Sequence, residues 1–196
     1  MVVLTDTCSV IMLLRIAPEM FSDERFGCVT IQAVHDEIKR TPKFKIKYPW
    51  RNEFLPKIKA IPPGTLLKAP NHLENGKTVA RTLDSQRNSG GAPYGLSRVD
   101  REVVTAALTL SDLTPEREVK ISSTDRNLVK FASKQFGLEN LEPLALINQW
   151  LCDGLIEWDE NRNNLLYAWL SDEEPFPGRQ AIGEFERLTG RKFPRP

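Results

Sequence analysis

The chain has 196 residues, 40% of them hydrophobic and 27% charged, with a formal net charge of +1. That balance excludes a disordered or fibrous chain, and a charge so near zero excludes a global field that gathers nucleic acid, so any such attraction must come from local clustering. No apolar run approaches the ~20 residues needed to span a bilayer. No basic region followed by an apolar leader opens the sequence, and Cys8, Cys28 and Cys152 form no CxxC or Cys/His pair; the expectation is a cytoplasmic protein with small buried thiols, without a zinc site or disulfide framework.

Val2-Val3-Leu4 is short, apolar and β-branched, the signature of a buried strand. It ends at Thr5-Asp6-Thr7-Cys8-Ser9, and Val10 to Leu14 resumes as an apolar helix limited by Pro18. A strand that enters a helix through a polar turn is half of a βαβ unit, and in open parallel sheets ligands bind at the carboxyl ends of the strands. Asp6 stands at that mouth. It equally suits the cap of the first helix.

Gly27-Cys28-Val29 reads as a brief extended piece, and Thr30 as the N-cap of a helix over 31–40 whose buried stripe is Ile31, Val34 and Ile38. Glu37 lies at the edge of that stripe. Between residues 39 and 59 the composition turns basic, with Lys43, Lys45, Lys47 and Arg51 among the cations and Phe44, Tyr48, Trp50 and Phe54 interleaved. Cations neutralise phosphates and rings stack on unpaired bases; an amphipathic helix over 50–61 with inward rings explains the aromatics as well. Pro62-Pro63-Gly64 ends the unit, a helix is expected over 76–88, and Ser89 to Pro93 reads as a turn.

Ser97 opens a helix over 98–110, with Asp100 in its first turn as either a capping partner or a site acid. Val119 to Ser123 is a second strand, ending at Thr124-Asp125 ahead of a helix stopped by Gly137. Leu138 to Leu141 reads as an edge strand, and Pro143 starts a helix through Leu151. The remainder predicts helices over 161–170 and 180–188, separated by a break at Pro175 and Pro177. The expected division is a domain over 1–151, with a longer basic helical region at 41–96, and a helical C-terminal extension over 152–196.

Taken together the acids make a pattern. Asp6 and Asp125 both end strands and precede helices, which in a doubly wound sheet places them on one edge. Carboxylates gathered there repel one another unless a cation sits among them, and oxygen-only ligands suit Mg²⁺ or Mn²⁺. His35, two residues before Glu37, reads as an ordinary surface histidine.

Four segments in order, Leu4-Thr5-Asp6-Thr7-Cys8-Ser9, Val34-His35-Asp36-Glu37-Ile38, Leu96-Ser97-Arg98-Val99-Asp100 and Ile121-Ser122-Ser123-Thr124-Asp125-Arg126-Asn127, resemble the PIN-domain nucleases. Many of these are the toxin halves of bacterial and archaeal toxin–antitoxin pairs. The resemblance implies a three-layer α/β/α fold with a short, mostly parallel central sheet. It also implies a metal-dependent ribonuclease in which Asp6, Glu37, Asp100 and Asp125 hold Mg²⁺ or Mn²⁺, Ser9 and Thr124 lend hydroxyls, and the products carry a 5′-phosphate and a 3′-hydroxyl. Asn127 stands where many relatives have a further acid, so one metal is better supported than two. Lys43, Lys45, Lys47, Arg51, Arg98, Arg101 and Arg126 are the candidate RNA contacts, and a small antitoxin partner and a homodimer are implied. Two rivals remain: a haloacid-dehalogenase-like phosphatase, whose second aspartate is here Cys8, and a silent PIN scaffold that binds RNA or protein without cutting.

Overall fold

The computed structural model describes residues 1–88, 94–172 and 177–194. The turn expected at 89–93 and residues 173–176 of the second break lie outside the described residues. β1 (Val2–Thr5) leads through Asp6 into α1 (Thr7–Ile16), and β2 (Cys28–Ile31) into α2 (Gln32–Arg40). Two short helices, α3 (Pro42–Lys47) and α4 (Arg51–Phe54), precede β3 (Ala60–Ile61), α5 (Pro63–Leu67) and α6 (His72–Asn88). Then come α7 (Arg98–Leu113), β4 (Val119–Ser122), α8 (Arg126–Phe136), α9 (Pro143–Cys152), α10 (Glu160–Asp172) and α11 (Arg179–Thr189). No helix among the described residues is long and apolar enough to cross a membrane.

The fold class is α/β, as expected, with four strands paired in parallel in the order β3-β2-β1-β4. The chain steps outward from β1 to β2 to β3, then returns to the far side of β1 for β4. That reversal makes a switch point between β1 and β4, where open sheets form a crevice at the carboxyl ends of the strands. The register Leu4↔Ile121 and Thr5↔Ser122 sets the two strand ends side by side. Val3, Leu4 and Thr5 are all fully buried; because successive side chains alternate faces, the sheet is covered on both.

The C-terminal helices join the same core. Leu166, Trp169 and Leu170 of α10 and Phe185 of α11 are buried with the body's apolar residues, α10 lies on α1, and Arg162 Nε donates to Ile16 O at 3.0 Å. Trp150 of α9 packs edge-on against Phe26 at 5.0 Å, with its indole N–H directed at Phe26 O.

Several local expectations change. Thr30 is a strand residue whose hydroxyl donates to Thr5 O at 2.9 Å, and α2 starts after Ile31 with no side-chain cap, because β2 runs on to pair Ile31 with Ile61 of β3. The helix expected over 50–61 is instead α4, a 3-10 turn at Leu55–Lys57 and β3; Pro56 offers no N–H and crowds the carbonyl four residues back. The edge strand expected at 138–141 shrinks to one parallel bridge, Ile121↔Asn140. The helix expected from residue 76 begins at His72. Gly137 ends α8 at φ 68°, a left-handed position that favours glycine, as its place in the sequence suggested.

Trp150→Ala removes a side chain only 1% exposed. We expect a loss of roughly 3–5 kcal/mol in urea unfolding followed by circular dichroism; a loss below about 1 kcal/mol would mean that α9 contributes little to the core.

Candidate active site

Asp6 is the N-cap of α1 and is 4% exposed. Its Oδ1 accepts the Ser9 N–H at 2.8 Å, and its Oδ2 accepts the Ser123 hydroxyl in a short hydrogen bond. The Ser123 oxygen in turn accepts the Asp125 N–H at 2.9 Å. One hydroxyl therefore ties the end of β1 to the start of α8. Ser9 completes the join by donating its own hydroxyl to Ser122 O at 2.9 Å.

The other three acids are held at their own elements. Glu37 reaches back from α2 to accept the Thr7 hydroxyl, one residue from Asp6. Asp100 closes a reciprocal capping box with Ser97: its Oδ2 accepts the Ser97 N–H at 2.8 Å, and its own N–H donates to Ser97 Oγ at 3.1 Å. Asp125 caps α8, its Oδ1 accepting N–H groups from Asn127 at 2.7 Å and Leu128 at 3.2 Å. The capping roles left open by the sequence are thus real for Asp6, Asp100 and Asp125. They do not compete with a site role, since a cap fixes a carboxylate at the sheet's edge.

Burial, with a smaller push from the negative charge of Asp100, raises the Asp6 carboxyl to about 6 against the lowering pull of the Ser123 and Ser9 hydrogen bonds. Asp100 is therefore near enough to repel Asp6. No lysine, arginine or histidine among the described residues pairs with any of the four acids. One oxygen each of Glu37, Asp100 and Asp125 also carries no hydrogen bond. Carboxylate oxygens without a counter-charge are the donor type that hard divalent cations take. With the side chains as they stand, no three His, Cys, Asp or Glu among the described residues are close enough to hold an ion.

The remaining candidates divide. Thr124, expected to lend a hydroxyl, makes no side-chain hydrogen bond and lines a groove beside α8, while Ser123 supplies the hydroxyl. The strand register could have found it, since the pair after Thr5↔Ser122 is Asp6 with Ser123. Thr7, the partner of Glu37, left no comparable signal, because only the tertiary fold brings α2 back to it. Asn127 is exposed, with its N–H on Asp125.

Among the basic candidates, Lys43, Lys45, Arg101 and Arg126 are exposed, and Lys47 is half-buried with its ammonium over the Tyr48 ring. Arg98 is paired with Glu102 at 2.7 Å. Arg51 does not belong to that surface: it is 7% exposed and its guanidinium donates to Tyr48 O at 3.3 Å. The interleaved rings pack edge to face, Tyr48 on Trp50 at 5.7 Å and Trp50 on Phe54 at 5.6 Å, and join the core. A run that looks like a stacking platform in one dimension is here largely a wall.

An acid whose folded-state value lies above its unfolded one is stabilising when protonated, so the metal-free fold loses stability as pH rises from near 4 through about 6. Asn keeps the cap and sheds the charge. In EDTA, Asp6→Asn is expected to raise stability at neutral pH by on the order of 3 kcal/mol and to show no gain below about pH 4, measured by thermal unfolding across the range. A variant less stable at neutral pH would show that the carboxylate is not desolvated.

In comparisons with known proteins, no protein-family model, curated protein or solved structure matches this chain.

Proposed function

We propose that the protein is a metal-dependent ribonuclease with a PIN-like arrangement of its parallel sheet. One observation carries the reading: four carboxylates from four separate segments stand at one end of the sheet, unpaired by any cation among the described residues, with the buried Asp6 among them. Lone caps would need no such gathering, and the repulsion it entails is what a bound cation relieves.

In this reading Asp6, Asp100, Asp125 and Glu37 would hold Mg²⁺ or Mn²⁺. When bound, the ion supplies Lewis-acid polarisation of the phosphate and a lowered pKa for attacking water. The protein's own part is positioning. Ser123 and Ser9 fix both Asp6 oxygens, so the carboxylate cannot rotate away. Thr7 holds Glu37 Oε2, which leaves Oε1 free to take a proton from water aligned for in-line attack on phosphorus. The bond from phosphorus to the ribose 3′-oxygen breaks, and the departing oxygen takes a proton from solvent, leaving a 3′-hydroxyl and a 5′-phosphate. Arg101 and Arg126, exposed at the starts of α7 and α8, are placed to neutralise backbone phosphates.

The test is cleavage of a 5′-labelled single-stranded RNA with Mn²⁺, with EDTA and with Asp6→Asn. Wild type should cut only with metal, and the variant should lose at least about a hundredfold in rate while staying folded. Cleavage that survives EDTA or the substitution overturns the assignment. Hydrolysis of a phosphate monoester in place of RNA would point to the phosphatase alternative.

A further inference from the structure

α8 carries a charge pattern that the fold itself does not use. Arg126, Lys130 and Lys134 recur every four residues, so they share one helix face with about 6 Å of rise between neighbours. All three are exposed, and among the described residues none has an acidic partner. Several cations elsewhere are paired: Lys120 holds Glu118 and Glu139, Arg162 holds Asp159, and Arg187 holds Glu184. Like charges stacked at this spacing destabilise a helix.

That face lines a groove of about 540 Å³ between α8 and the C-terminal helices, with Leu144 and Trp169 contributing apolar surface. Ser123 lies on the same groove, and its hydroxyl holds Asp6, so the channel adjoins the acidic site. The acid in the groove, Glu142, is already engaged: both of its oxygens accept the Gly178 N–H at 3.2 Å.

We propose that this groove is the track for the flanking strand of a single-stranded RNA as it leaves the acidic site, with Arg126, Lys130 and Lys134 following consecutive phosphates. The proposal rests on the ribonuclease reading for its substrate, and on the groove for its path. A row of unpaired cations at regular spacing matches a flexible polyanion, and a mixed apolar and polar floor accepts bases without reading their sequence. Arg126 nearest the acids would serve the phosphate next to the cut; Lys130 and Lys134 would serve phosphates farther along.

The test uses the full chain with Lys130→Gln and Lys134→Gln combined, substitutions that touch none of the four acids. Binding of a fluorescein-labelled single-stranded RNA is followed by anisotropy in EDTA, where metal-dependent cleavage is silent. The double variant should bind roughly tenfold more weakly, and its log–log salt slope should flatten by about 1.4, or 0.7 for each phosphate no longer neutralised. With Mn²⁺, KM for the long RNA should rise in step while cleavage of a dinucleotide stays unchanged. Equal affinity and slope in both proteins overturn the groove even if the RNA is cut. RNA that binds, weakens in the variant as stated and is not cut by wild type leaves the groove standing and removes the ribonuclease reading. No RNA binding by wild type overturns the groove.

Discussion

The structure depends on the parallel pairing of β1 with β4. Four register pairs from Val2↔Val119 to Thr5↔Ser122 bring together strands far apart in the chain. Asp6 still donates its N–H to Ser122 O at 3.1 Å, and one step further Asp6 and Ser123 pair through their side chains. The sheet's hydrogen bonding thus passes directly into the site's. Two helices start from this junction, and their caps are two of the four acids, so a shift of one strand by a single residue would scatter the cluster and turn its side chains to the other face.

The energetics run against the fold at this point. A carboxylate 4% exposed, lifted by burial and by the charge of Asp100, is a stability cost that an apolar residue would not impose. Buried charged groups of this kind cluster at functional sites, and here a serine hydroxyl and a helix N-terminus hold the carboxylate while the charge of Asp100 acts against it. α8 starts from the same junction, capped by Asp125, with Arg126, Lys130 and Lys134 exposed along one face.

The elements most legible in the sequence were those with local causes. The apolar run of β1, the polar turn at Asp6, the Ser97 capping box and the Gly137 stop each rest on a few adjacent residues, and each stands in the structure. What the sequence hid depends on distant partners. Thr30 reads as a cap until Ile61 arrives to extend β2, and Arg51 reads as surface until α4 folds it against the Tyr48 carbonyl. The placement of Asp6 and Asp125 on one edge followed from strand polarity alone, whereas Ser123 needed the register and Thr7 needed the tertiary fold.

The Ser123–Asp6 hydrogen bond spans 117 residues. A growing polypeptide emerging from the ribosome holds β1 long before it holds β4, and helices form locally in the meantime while the central strand lacks one neighbour. Until the segment through α8 has emerged, the four acids have no frame to meet on. Their arrangement is therefore completed only late in synthesis, once the central strand has gained its second neighbour.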